Sequence, residues 1–349
     1  MLDSCPYKRT SRLRPFLALL VLFSLLMATA CTAHQTVGVP KLLQPLEKAE
    51  TGRLIAEVNR LATVKSLHGK LDIQFQDNSF ATEGIAEKYR SADATITMQR
   101  PGKVYLVIQF LLVDIAQMTS DGEHFRVAVL KGDEKYRRFV KGTNNAQYEP
   151  LKGNGVNKKD KKKGAERETV NALSNLRPQH LTDALLIQPI GQPLESGLVY
   201  SQSEFYDEEP DKRPQAKSGT RVVRGYYLLE ELLPSTSGVA KLKRRFWFDR
   251  VGGIRLARLQ TFDDQGLLDT DVSYGEYKVL GENPSAQLPG HIELTRPRDQ
   301  YKLNLTYQDP IAVTIDRGWD SAVFVLENKW GLPEVDLDAR KDPRATTTP

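Results

Sequence analysis

The chain has 349 residues, two cysteines and a formal charge of +5. Residues 1–30 carry +3 of that charge (Lys8, Arg9, Arg12 and Arg14 against Asp3), so the remaining 319 residues stand near +2. That balance argues against a nucleic-acid platform, and the one cysteine left after residue 30 excludes an intramolecular disulfide there.

The first element is a positive flank (Lys8 to Arg14) followed by an apolar run from Phe16 to Met27, then Ala28-Thr29-Ala30 and Cys31. A basic n-region, a short apolar h-region and small residues before a cut describe a secretory signal over 1–30. The run is shorter than the ~20 apolar residues a spanning helix needs. With Cys31 directly after the small residues, the stretch resembles a bacterial lipoprotein signal, in which the cysteine carries acyl chains. An ordinary signal cut after Ala30, or an uncleaved anchor, are the alternatives. Thr32 is not Asp, so the inner-membrane retention signal of some bacteria is absent. Two or three acyl chains would anchor the chain stably, where one would not.

Residues 31–44 read as a tether, interrupted by Pro40. From 46 to 64, Leu54, Ile55, Val58, Leu61 and Ala62 recur at spacings of three and four, which predicts an amphipathic helix. The period then changes to two. Lys70 to Gln76 alternates, and further strands are expected at 81–88, 94–99, 104–110, 116–120, 125–130 and 135–140. The breaks carry turn residues such as Asp121-Gly122 and Gly132-Asp133. Residues 141–168, with five lysines within Lys158–Lys163, read as a solvated flexible insertion. A contact with acidic lipid head groups is its functional alternative. A helix split by Pro178 is expected over 166–187, and a polar flexible insertion near 196–220. Strands resume at 222–229, 242–248, 254–262, 271–279, 292–295, 301–307 and 312–315. From 329 to 349 the chain is expected to be a loose tail.

The sum is a mainly β (α+β) domain over 45–328: one large curled antiparallel sheet forming an open half-barrel. The N-terminal helix and the mid-chain split helix would cover its concave face. Such a sheet must twist. If the cover is incomplete, it leaves an apolar cavity able to hold a lipid chain. Leu71, Ile73, Phe75, Val107 and Trp247 are the expected lining residues, although a one-residue slip in register exchanges the faces.

Catalytic patterns are missing. The histidines at 34, 68, 124, 180 and 291 are scattered, and His124 and His291 are expected at the surface or a cavity rim. There is no HExxH pair and no G-x-S-x-G elbow. Asp263-Asp264 and Asp269-x-Asp271 look like a cation cluster, but turn chemistry explains them. A binding protein with no metal and no cofactor is expected, rather than an enzyme.

The run "GKLDIQF…ADATITMQRPGKVYLVIQFLLVDIAQMTSDGEHFRVAV" and the later "RRFWFDRVGGIRLARLQTFDDQG…VSYGEYKVL…LPGHIELTRP" resemble the LolA/LolB-like superfamily of periplasmic lipoprotein carriers and outer-membrane lipoprotein receptors. The resemblance spans roughly residues 50–315. The insertions at 141–168 and 196–220 are foreign to the short family members. The resemblance implies a half-barrel that binds acyl chains beneath a helical lid. It implies that Arg100, before Pro101, helps hold the lid closed, with a plain strand-end arginine as the alternative. It also implies that Leu111 and Leu112 touch the membrane from a hairpin tip, with an ordinary buried strand as the alternative. The resulting expectation is a lipid-anchored protein of the bacterial envelope, on the outer membrane facing the periplasm. Its partners would be lipid or lipoprotein acyl chains and envelope proteins, in lipoprotein sorting or envelope biogenesis. The alternative is a structural or assembly partner with a filled core and no ligand.

Overall fold

The computed structural model describes residues 39–78, 87–88, 91–132, 134, 137–144, 146, 148, 176–191, 197–236, 238–283 and 287–340. The signal, Cys31, most of the tether, the Lys158–Lys163 run and residues 341–349 lie outside them.

The first half contains β1 (Lys41–Leu42), α1 (Thr51–Ala62), β2 (Ser66–Asp77), β3 (Glu87–Lys88), β4 (Ala92–Gln99), β5 (Lys103–Phe110), β6 (Val113–Asp121), β7 (His124–Val129) and β8 (Arg138–Thr143). After α2 (Pro178–Leu185) come β9 (Val199–Pro210), β10 (Arg221–Pro234), β11 (Ala240–Asp249), β12 (Arg255–Phe262), β13 (Leu268–Val279), β14 (Gln287–Arg296), β15 (Tyr301–Tyr307), β16 (Thr314–Ile315) and β17 (Glu334–Asp336).

All these strands join one sheet. Its main order is β9, β10, β11, β12, β13, β14, β15, β2, β4, β5, β6, β7, β8, β17. The centre is β2, with β4 and β3 on one side and β15 and β16 on the other. The edges, β9 and β17, do not pair with each other, so the sheet is open. It is also mixed, which corrects the purely antiparallel expectation. The β1–β10 and β8–β17 pairs are parallel because each terminal segment arrives from outside a finished meander.

The alternation of β2 sets the inner face. Leu67, Leu71, Ile73 and Phe75 are buried on it, as are Ile96 and Met98 on β4 and Leu303 and Leu305 on β15. The sheet curls around the helices. On one flank α2 touches β5 and β6, and on the other its Ala184 carbonyl accepts the Tyr274 hydroxyl of β13 at 2.9 Å. Five strand spacings of ~4.8 Å separate β5 from β13, more than a helix ~10 Å wide could bridge on a flat sheet.

Three further boundaries differ from expectation. Helix α1 starts at Thr51 because Leu46 bridges to Val251 and the Glu47 amide bonds to the Arg250 carbonyl. At the end of the expected tether, Lys41 and Leu42 pair with β10 and Leu43 is buried. The expected insertion near 196–220 is largely regular: β9 pairs with β10 along its whole length. Its polar alternation suits a strand with solvent on its outer side.

The expected tail is the largest departure. Residues 319–340 dock on the outer face of the first half. Phe324 is fully buried there, and Leu326 and Leu332 pack against Ala128 and Phe139. The side chain of Asp320 caps the 3₁₀ turn Ser321–Phe324 by accepting the Ala322 amide. Of these apolar contacts only Leu332 falls in the expected tail from 329; Phe324 and Leu326 precede it.

Candidate functional site

The site is the interface between the curled inner face and its two-helix cover. Helix α1 buries Leu54, Val58 and Leu61 against it, and α2 buries His180, Leu181 and Ala184. Besides Thr51 to Gln202 and Arg60 to the Gln287 carbonyl, both at 2.8 Å, four polar ties hold the cover. Asn59 on α1 mimics a strand partner for Ile190 after α2, donating to its carbonyl at 2.9 Å and accepting its amide at 2.8 Å. Tyr274 holds Ala184 from the sheet. His180 and the Tyr301 hydroxyl meet at 2.6 Å. The fourth tie is Arg100.

Arg100 ends β4 at the rim where both helices finish. Its Nε donates to the Val64 carbonyl at 3.0 Å and its Nη2 to the Ile187 carbonyl at 2.6 Å. One guanidinium thus clips the exit of α1 to the exit of α2, using carbonyls of the segments just past the two helices. Burial pulls its pKa down, with Asp183 opposing. Toward the start of α1, Gly191 sits at φ +81° and a Cβ there would lie 2.6 Å from Ile55 Cγ2. Only glycine fits the close approach of the second segment to α1.

Among the described residues, little space remains at the junction of the two helices and the sheet floor. A void of about 20 Å³ remains between Leu61, Val64, Ala184, Ile187, Tyr274 and Ile292. That is room for about one water, not an acyl chain. The helices fill the concavity because their apolar side chains reach the sheet floor. A cleft of about 810 Å³ opens beside it, and the two share Val64, Leu280 and Leu288 as a wall.

The expected lining residues divide by register. Leu71, Ile73 and Phe75 stand buried on the inner face; Phe75 stacks on Tyr301 with centroids 5.6 Å apart. Val107 and Trp247 stand on the outer face, which corrects the expectation. On β5 the buried residues are Val104, Leu106 and Ile108, so odd-numbered Val107 faces out. On β11 Phe246 and Phe248 point in, and Trp247 lies outside against Phe205, Tyr226 and Arg258.

Leu111 and Leu112 form the β5–β6 turn. They are 79% and 90% exposed, flanked by exposed Phe110 and Val113. Both have positive φ, 48° and 65°. A two-residue turn of this kind favours Asn-Gly, and each leucine costs about 1 kcal/mol in the left-handed region. On conformational grounds the turn would be better served by other residues.

A polar cluster near the start of α2 was not legible in the sequence. Arg296 meets Asp269 at 2.7 Å and Asp299 at 2.8 Å. Arg177 lies over the Phe125 ring, 4.9 Å from its centroid. Burial, then the charges of Arg296 and Arg177, push His180 well below its ordinary pKa of 6.5. The four acids that resembled a cation cluster each face a base: Asp263 with Arg298, Asp264 with Lys243, Asp269 with Arg296 and Asp271 with Arg258. His124 is exposed and His291 bonds Thr306 at 2.8 Å. His34 lies outside the described residues.

No family model matches the chain, and no curated protein matches it. Solved structures do. A DUF1329 family protein from Desulfovibrio piger is 12% identical, over 78% of this chain and 95% of that one, with a TM-score of 0.38. A LolA superfamily protein from Nitrosomonas europaea is 10% identical over 80% and 99%, with a TM-score of 0.39. An outer membrane lipoprotein-sorting protein domain from Vibrio parahaemolyticus is 12% identical over 77% and 94%, with a TM-score of 0.36.

Proposed function

We propose that this is a lipid-anchored envelope protein that works at a membrane surface and shelters an apolar chain beneath its helical cover, by binding and not by catalysis. The observation that carries the reading is the Leu111–Leu112 turn: two leucines held out to solvent in a conformation that costs free energy. A lipid surface repays that cost, since each buried methylene is worth ~0.8 kcal/mol. Supporting it, an apolar wall lies under the two-helix cover, beside a cleft of about 810 Å³. Uptake of a chain requires the cover to lift, and Arg100 is the clip that must release. Acylation of Cys31 would place the protein on the periplasmic face of the outer membrane; intact-mass analysis of the processed chain tests it.

The test of the main reading uses Leu111→Asn/Leu112→Gly. This pair supplies the residues the turn prefers, so the fold should hold or gain about 1 kcal/mol while binding to phospholipid vesicles falls. Uptake of a fluorescent fatty acid is measured in parallel on the wild type and on Arg100→Ala, with faster uptake expected in the variant. Unchanged vesicle binding together with no uptake by either protein removes the proposal. A second reading, an assembly partner with a filled core, is favoured by the void of only about 20 Å³. Under it the fatty acid is never taken up and crosslinking captures a stable protein complex.

A further inference from the structure

The exposed apolar side chains are unevenly placed. One register line crosses the sheet through Gln76, Lys302, Thr295, Asp271, Gln260, Arg245 and Glu230. Beyond it, on the Asp77 side of β2, the β10–β11 and β12–β13 hairpins turn. The Phe110–Val113 turn projects on the same side. Among the described residues, fourteen large apolar side chains are exposed, and eight lie at this rim. They are the four of the Phe110–Val113 turn, Val199 at the start of β9, Leu233, Val239 and Leu267. The opposite rim has Val39, Val279 and Ile311.

The two second-half hairpins repeat one design. In Asp263–Leu267 the Asp263 amide bonds to the Leu267 carbonyl and the Gly266 amide to the Asp263 carbonyl, both at 3.0 Å. In Ser235–Val239 the Ser235 amide bonds to Val239 at 2.9 Å and the Gly238 amide to Ser235 at 3.1 Å. Each has a glycine near φ +80°. The residue after that glycine is apolar and exposed in both, Leu267 at 56% and Val239 at 64%. Among the described residues, none of the described clefts is lined by these tips. A plane of lipid can take each tip separately. Exposed Lys131, Arg137 and Lys241 stand along the same rim with exposed Glu134 and with Asp264, which Lys243 pairs at 2.9 Å; cations there can meet acidic head groups.

We propose that this whole rim is a docking edge for an anionic lipid bilayer, with Val239 and Leu267 as second-half contacts alongside the Leu111–Leu112 turn. The inference rests on the membrane reading of that turn and extends it to the other half of the sheet. With this rim down, the cleft beside the Arg100 clip faces away from the bilayer.

The test is hydrogen exchange of the full chain with and without vesicles of phosphatidylcholine containing about one-third phosphatidylglycerol, joined to vesicle partitioning of Val239→Glu/Leu267→Glu. Vesicles should slow exchange around Phe110–Val113, Val239 and Leu267, but not around Val279 and Ile311. The double variant should lose about ten-fold in partitioning. Both substitutions are on exposed tips, so denaturation midpoints should match the wild type. Protection confined to Phe110–Val113, with full partitioning of the double variant, overturns the rim while leaving the earlier reading intact. No protection anywhere removes both. Equal binding to pure phosphatidylcholine, or rim protection that arises from self-association without vesicles, also overturns the proposal.

Discussion

The two halves of the sheet share one apolar inner face but treat their outer faces differently. Outside β4 to β8, residues 319–340 supply an apolar cover, with Phe324, Leu326 and Leu332 buried beneath solvent-facing polar residues. Outside β9 to β15, the described residues form cross-strand ion pairs instead. Arg224 meets Glu209 at 2.6 Å and Arg245 meets Glu230 at 2.7 Å; Arg258 meets Asp271, and Lys302 meets Glu293 at 2.6 Å. The comparison shows two solutions to the same problem, a sheet too wide to be covered twice by two short helices. Apolar cover concentrates stability in a few side chains. Paired charges spread it thinly, because exposed ion pairs gain little in water.

The sharpest way to break that contrast is Phe324→Ala. Removing a fully buried aromatic side chain should cost about 3–5 kcal/mol in urea unfolding. A loss below 1 kcal/mol would mean the cover is ornamental. Next is Arg100→Ala, which acts on the shared inner face. It strips the Val64 and Ile187 carbonyls of their donor and should cost about 1–3 kcal/mol. Amide exchange should rise at the ends of α1 and α2 before it rises in β7 or β12.

Acid should sharpen the comparison further, through His180. Its folded pKa lies below the ordinary 6.5 because burial disfavours the charged ring. Its contribution is therefore complete above pH 6.5 and is lost as pH falls from there toward the folded value. The slope is up to about 1.4 kcal/mol per pH unit. Arg296 and Arg177 face the ring and oppose its protonation, while Tyr301 holds it by a hydrogen bond. His180→Gln should flatten the pH 5–6.5 limb of the stability profile; an unchanged limb would assign it to other groups. The smallest effect is expected from Arg258→Met on the ion-paired half, under about 1 kcal/mol after allowance for its exposure. A cost as large as that of Phe324→Ala would erase the distinction between the halves.

Much of the sheet was legible because alternation is a local signal: Lys70 to Gln76 and Tyr301 to Tyr307 announce strands without reference to anything else. Local signals failed where tertiary contact decides. The acidic stretch at 204–210 reads as a connection, yet it is a strand, since an edge strand needs no apolar face toward its open side. Val107 and Trp247 were misplaced because period two fixes alternation but not which face is inner. Arg100 was suggested by resemblance, and its two carbonyl partners emerge only when the exits of α1 and α2 meet. Asn59, Arg177 and His180 carried no pattern at all, being polar residues whose partners lie 131, 52 and 121 positions away.

The central strand has a consequence for how the molecule is made. Asp72 on β2 is tied to Gln308, 236 positions later in the chain. A polypeptide that emerges amino end first therefore holds its middle ribbon unpaired on one side until nearly all of it has been delivered. Such distant pairing is slow, and the waiting intermediate exposes sticky edges. Biogenesis of this protein should depend on a holding chaperone more than that of a chain whose neighbours in space are neighbours in sequence.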